Sequence, residues 1–248
     1  MLYPKNLPSK ARRLFLAASA LALLAGCLAF MSTSKQKSAD SIRFLALGDS
    51  YTIGESVDAD QSWPMQLRAR LMEQSVEVEW YKIIARTGWK TKDLKDGIQV
   101  SSPDANYNLV GLLIGVNDFF QGRGLDEYRQ RFQGLLETAI KLAGGRKERV
   151  FVISIPDYSY TPLYKSNRDV VSGGIDDFNS VNKKVTLAAG VQYFDITPIS
   201  RQGLDDPALV ASDGLHPSGK QYTAWVKLME PTILKMLENC IHEPPASA

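Results

Sequence analysis

An α/β fold built on a parallel sheet is what this 248-residue sequence predicts. Three observations carry the prediction. Strand-like and helix-like segments alternate along the chain from about Ser41 onward. Two strand-like runs, Asn108 to Ile114 and Val150 to Ile155, are almost wholly apolar, as expected of strands covered on both faces. The connections are short, as in sheets with helices packed on both sides.

Ile42 to Leu47 reads as the first strand. Ser62-Trp63-Pro64 predicts a helix start, with Ser62 as N-cap and proline in the first turn. Met65, Leu67, Leu71 and Met72 supply that helix with an apolar face. Val76 to Ala85 is β-branched and aromatic and predicts the second strand. A short helix around Lys92 to Ile98 leads to the third strand, Asn108 to Ile114. Leu125 to Ala143 has the pattern of a long amphipathic helix closed by Gly144-Gly145. Val150 to Ile155 is the fourth strand, stopped by Pro156. Asp157 to Gly174 reads as a loop whose Tyr158, Tyr160 and Tyr164 either wall a pocket or pack on the surface. Asp176 to Ala189 predicts a helix ending at Gly190, and Val191 to Ile196 a fifth strand. Ser218 to Glu238 predicts a terminal helix, with Pro231 as a candidate kink.

The first thirty residues differ in character. Lys5, Lys10, Arg12 and Arg13 form a basic start without an acidic residue. The apolar run from Leu14 to Ala25 has the length of a signal-peptide core and is short for a membrane span. It ends in Leu24-Ala25-Gly26-Cys27, which resembles the lipobox of bacterial lipoproteins. That resemblance implies a signal peptide over 1–26, acylation at Cys27 and a tether over 27–40. A single domain follows over 41–240, with a flexible tail over 241–248. An uncleaved anchor running on to Phe30 is the alternative. Either arrangement places the domain in the cell envelope, outside the cytoplasm and beside a membrane. Loss of the leader takes the formal charge from +2 to −2, so the basic balance is no argument for nucleic-acid binding. Two cysteines, Cys27 and Cys240, cannot form a Cys-rich zinc site. Their disulfide is the alternative to acylation.

Four segments can carry chemistry. Only two histidines exist, and His242 sits in the tail, so an imidazole base is nearly forced onto His216 in Asp213-Gly214-Leu215-His216-Pro217. Pro217 biases His216 toward an extended backbone. Asp213 can fold back onto one ring nitrogen, fix the tautomer and stabilise the imidazolium. Gly48-Asp49-Ser50-Tyr51-Thr52 follows the first strand and exposes a serine at a strand-to-helix turn. It is not the G-x-S-x-G elbow, because Thr52 stands at the second glycine position. Gly115-Val116-Asn117-Asp118 follows the third strand, where an asparagine amide can donate to an oxyanion. Arg86-Thr87-Gly88 follows the second strand, and Trp89 after it can sit at the rim or in the core. Each segment alone also fits an ordinary turn.

Together, Gly48-Asp49-Ser50, Gly88, Gly115-Val116-Asn117-Asp118 and Asp213-x-x-His216 resemble the blocks of the SGNH (GDSL) hydrolase family over about Ile42 to Leu237. The resemblance implies a flavodoxin-like, three-layer α/β/α fold with a five-stranded parallel sheet. It implies Ser50 as nucleophile, His216 as general base and then acid, and Asp213 as its orienting partner. The oxyanion hole would be the N–H groups of Ser50 and Gly88 with the Asn117 amide. No cofactor or metal is expected, and the partner would be an ester, either a lipid such as a lysophospholipid or an acylated carbohydrate. Two other functions fit the same residues: acyl transfer to a carbohydrate hydroxyl, and a non-catalytic envelope binding lipoprotein.

Overall fold

The computed structural model describes residues 41–241. The leader, Cys27, the tether and the tail with His242 lie outside the described residues, as does the side chain of Cys240. Five strands, β1 (Arg43–Gly48), β2 (Trp80–Ala85), β3 (Leu109–Leu113), β4 (Val150–Ile153) and β5 (Gln192–Phe194), form one sheet in the order β2-β1-β3-β4-β5. Every pairing is parallel. This is the flavodoxin-like order, and the chain changes direction across the sheet between β1 and β3.

The eight α-helices among the described residues are α1 (Ser50–Ile53), α2 (Trp63–Glu73), α3 (Thr91–Ser101), α4 (Val116–Phe120), α5 (Leu125–Leu142), α6 (Arg168–Ala188), α7 (Thr197–Ser200) and α8 (Gly219–Ile241). Right-handed crossovers put the β1-to-β2 connection on one face of the sheet and the later connections on the other. The packing agrees. α2 lies against α8, and α3, α5 and α6 pack side by side. Arg70 on α2 pairs with Glu230 on α8 at 3.1 Å.

The central strands are buried throughout, which explains their continuous apolar runs. Trp63 on α2 is fully buried and meets Phe44 and Phe151 edge-on at 6.1 and 6.0 Å. Gly111 in mid-β3 makes room for it. A Cβ there would lie 2.6 Å from the Phe151 ring and 2.8 Å from Trp63.

Three expectations change in detail. The second strand begins at Trp80, not Val76, because it is an edge strand and its only partner, β1, begins at Arg43. Met72 is exposed, leaving Trp63, Pro64, Leu67 and Leu71 as the buried face of α2. Ser62 stands at the N-cap of α2 as expected, but its hydroxyl donates to the Ala59 carbonyl and makes no cap bond. Pro64 removes one of the two amide donors such a cap serves. The expected terminal helix is present as α8, with Pro231 inside it.

The largest difference is in α6, which starts eight residues before Asp176 and absorbs the end of the expected loop. Gly173-Gly174 reads as a helix breaker, yet both glycines are helical. Gly174 is there for packing: a Cβ would lie 2.0 Å from the Phe119 ring, whereas a Cβ on Gly173 meets nothing within 4 Å. The two alanine variants should therefore move stability in opposite directions. Gly173→Ala should stabilise by about 0.5–1 kcal/mol through helix propensity. Gly174→Ala should destabilise by about 1–3 kcal/mol through overpacking. Urea denaturation of the two proteins checks the pair, and the same sign for both would refute the packing argument.

Candidate active site

The strand register brings the candidate residues to one edge. Gly48 at the end of β1 pairs with Ala85 at the end of β2 and with Leu113 at the end of β3. The segments carrying Ser50, Gly88 and Asn117 thus leave the sheet level with one another. They do so at the point where the strand order reverses, where ligands of such folds bind. The close approach of β1 to β3 requires Gly48, whose Cβ would lie 2.1 Å from Thr52 Oγ1 and 2.4 Å from the Leu113 carbonyl oxygen.

Ser50 is the first residue of α1 and is 5% exposed. Its amide, at a helix start, has no intrahelical partner. Gly88 has φ +80° and open space where a Cβ would stand, so no neighbouring group crowds its backbone on that side. Asn117, in the first turn of α4, donates one amide hydrogen to the Trp89 carbonyl at 3.0 Å. That bond orients the side chain and leaves the second amide hydrogen free to donate. The Trp89 ring is half-buried over Gly97, where a Cβ would lie 2.2 Å from it, so Trp89 packs against the core and it is its carbonyl that meets Asn117.

His216 arrives from the opposite end of the chain. An antiparallel bridge between Val210 and Pro217 and the bond from Ala211 N to the His216 carbonyl, 2.8 Å, hold its loop. The His216 ring stands edge-on to Tyr51, with centroids 5.7 Å apart, and so lies beside the serine-bearing helix. Its Nδ1 is 2.6 Å from Asp213 Oδ2. Asp213 Oδ1 accepts from the N–H groups of Leu215 and His216 at 2.9 and 3.0 Å. Partial burial raises the Asp213 pKa, but the His216 ring, these two amides and the Ser56 hydroxyl outweigh it. The carboxyl is held well below its ordinary range.

Sequence reasoning missed the residues that support this arrangement. Asp118 is fully buried, accepts from the amide and hydroxyl of Thr91 at 2.8 and 2.7 Å, and pairs with Arg123 at 3.0 Å. It ties the Asn117 turn to the start of α3. Asp157 is also buried and accepts from Ser159, Ser172 and Arg201. It braces the segment of the three tyrosines. Tyr158 is buried against Phe119, Phe120 and Tyr164, and Tyr160 lies under Arg168. Thr91 lies 27 residues from Asp118, and Ser172 and Arg201 lie 15 and 44 residues from Asp157, so no local pattern announces these contacts. Among the described residues, no group of three or more His, Cys, Asp or Glu side chains is placed to hold a metal ion.

Comparison with known proteins gives a consistent picture. Residues 46–224 match the GDSL-like lipase/acylhydrolase family. The esterase TesA of Pseudomonas aeruginosa is 24% identical over 220 residues, which cover 87% of this chain and 98% of that protein. Among solved structures, TesA superposes with a TM-score of 0.60 at 18% identity, covering 78% of this chain and 99% of the other. An acetylxylan esterase from Geobacillus stearothermophilus superposes at 0.57 with 18% identity, covering 79% and 94%. At these identities the structural likeness speaks for the fold.

One group next to Ser50 has an unusual electrostatic setting. The Asp49 carboxyl is fully buried; Oδ1 accepts from the Tyr51 amide at 3.1 Å, and Oδ2 has no hydrogen-bond partner among the described residues. Burial pushes its pKa up to about 8, the Tyr51 amide offsets part of that, and the nearby Asp118 adds to it. Asp49 is therefore neutral at pH 7. A raised folded pKa gives stability that is complete below the unfolded carboxyl range and is lost as pH rises toward 8. The slope contributed is at most about 1.4 kcal/mol per pH unit. Asp49→Asn removes the proton and should flatten the decline between pH 4 and 8. Denaturant unfolding across that range checks this, and equal slopes in both proteins would refute it.

Proposed function

Because the chain belongs to the GDSL-like lipase/acylhydrolase family, we propose that it is a serine hydrolase cleaving carboxylic esters through an acyl-enzyme on Ser50. The observation that carries this reading is that the segments of Ser50, Gly88 and Asn117 leave the sheet level with one another while the Asp213-paired His216 ring stands against Tyr51, next to Ser50. The names of the similar proteins, an esterase and an acetylxylan esterase, support an ester as the bond cleaved.

In this scheme Ser50 Oγ attacks the carbonyl carbon while His216 Nε2 takes its proton. Nδ1–H of His216 stays on Asp213 Oδ2, which stabilises the imidazolium. The oxyanion accepts from the N–H groups of Ser50 and Gly88 and from the free amide hydrogen of Asn117. Collapse breaks the C–O bond, and His216 returns the proton to the departing alcohol. A water molecule then attacks the acyl carbon, His216 takes its proton, and the second collapse frees the acid and restores Ser50.

Phe120 and Leu163 are both more than half exposed. Phe120 stands three residues past Asn117, and the Leu163 amide donates to the Gly214 carbonyl in the histidine loop at 3.3 Å. We read them as apolar walls for the acyl or alcohol part of the ester. The position of the enzyme rests on sequence alone. A lipobox-like Leu24-Ala25-Gly26-Cys27 after an apolar core supports a lipid-anchored envelope protein. Metabolic labelling with a palmitate analogue tests it: wild type should take up label and Cys27→Ala should not.

The activity test uses the full chain in detergent with aryl esters from acetyl to long-chain acyl. Ser50→Ala should abolish turnover, and retained turnover would overturn the mechanism. Asn117→Ala should lower kcat on the order of a hundredfold, the cost of one oxyanion donor, about 3 kcal/mol. The double variant Phe120→Ala/Leu163→Ala should lower kcat/KM roughly tenfold for long acyl chains and little for acetyl esters. Acyl transfer to an added sugar in place of hydrolysis would replace the hydrolase by an acyltransferase.

A further inference from the structure

We propose that Ser56 is a positioning residue for the Asp213–His216 pair, tying it to the turn that carries Ser50. This rests on the reading of Ser50, Asp213 and His216 given above. Four donors approach the Asp213 carboxylate. Three belong to its own loop: the amides of Leu215 and His216 on Oδ1 and the His216 ring on Oδ2. The fourth is the Ser56 hydroxyl, which donates to Oδ2 at 2.8 Å from 157 residues away. It therefore shares with the imidazole the oxygen that orients the ring.

The turn bearing Ser56 is an extension of α1. The Ser50 carbonyl accepts from Gly54 N at 3.1 Å and from Glu55 N at 3.0 Å. On its other side, Glu55 accepts from the hydroxyl of Thr87, the residue before Gly88. One short turn thus contacts the nucleophile segment, the Gly88 segment and the histidine loop. A rigid link of this kind fixes the distance between serine and imidazole, on which proton transfer depends.

The backbone at Ser56 argues against an incidental contact. Its φ is +65°, a left-handed conformation that costs a non-glycine residue on the order of 1 kcal/mol. Glycine would occupy the position without that cost, and Gly54 two residues earlier does so at φ +82°. The strained position carries a hydroxyl, and the hydroxyl is aimed at Asp213. The side chains are partly open to solvent, Asp213 at 30%, so the bond adds little to folding stability. Its effect is on geometry.

Ser56→Gly separates the two roles, because it relieves the backbone while deleting the hydroxyl. In the full chain, kcat on an aryl ester should fall about tenfold, KM should stay within twofold, and Tm should be unchanged or higher. The loss should vanish in an Asp213→Asn background, where Ser56→Gly should change kcat by less than twofold, as coupled residues do. A kcat within twofold of wild type for Ser56→Gly would overturn the proposal. So would a tenfold loss that persists in the Asp213→Asn background, or one accompanied by a lower Tm. Ser50→Ala serves as the control: activity retained there would remove the underlying mechanism, whereas its loss alongside an unimpaired Ser56→Gly would remove only the role of Ser56.

Discussion

The level ending of three parallel strands governs the rest of this molecule. Hydrogen bonding aligns Gly48, Ala85 and Leu113 side by side, and the chain leaves all three strands through short turns. The alignment is tight because Gly48 has no side chain to hold β1 away from Leu113. A larger residue there would push the β1 and β3 ends apart and move the Ser50 and Asn117 segments with them. The candidate site inherits its geometry from the sheet, the most rigid part of the fold, and the loops refine it.

Around this edge the protein places carboxylates in opposite states. Asp213 is held ionised by donors from its own loop, the His216 ring and Ser56. Asp49, one residue before Ser50, is held neutral by burial. Asp118 and Asp157 are buried as well, but each is surrounded by donors and a guanidinium. Asp118 and Asp157 anchor turns through these contacts, whereas at Asp49 the Tyr51 amide does not offset the cost of full burial. The neutral Asp49 keeps net negative charge away from the place where an oxyanion would form.

Much of this was legible in the sequence. The buried strands announced themselves as apolar runs, and their alternation with helices was enough to predict a parallel sheet. Ser50, Gly88, Asn117, Asp213 and His216 stand out as candidates in the sequence, because each follows a strand or lies in the segment of the domain's one histidine. What escaped depends on contacts between distant residues. Gly174 reads as a breaker until the Phe119 ring is seen in its place. Val76 to Glu79 have strand-forming residues but precede the paired register, with a backbone bond from Ile42 N to the Glu77 carbonyl and no ladder. Ser56, Asp118 and the Trp89 carbonyl act through residues 27 to 157 positions away, and no short motif encodes such distances.

The topology also separates the parts of the proposed site along the chain. Ser50 lies near the start of the domain, while Asp213 and His216 lie near its end, just before α8. Their loop is followed directly by the helix that packs on α2, with Arg70 and Glu230 joining the two. The His216 ring, which stands against Tyr51, thus depends on the last segment of the fold, and a chain cut short before residue 213 would carry the proposed nucleophile with no base to activate it.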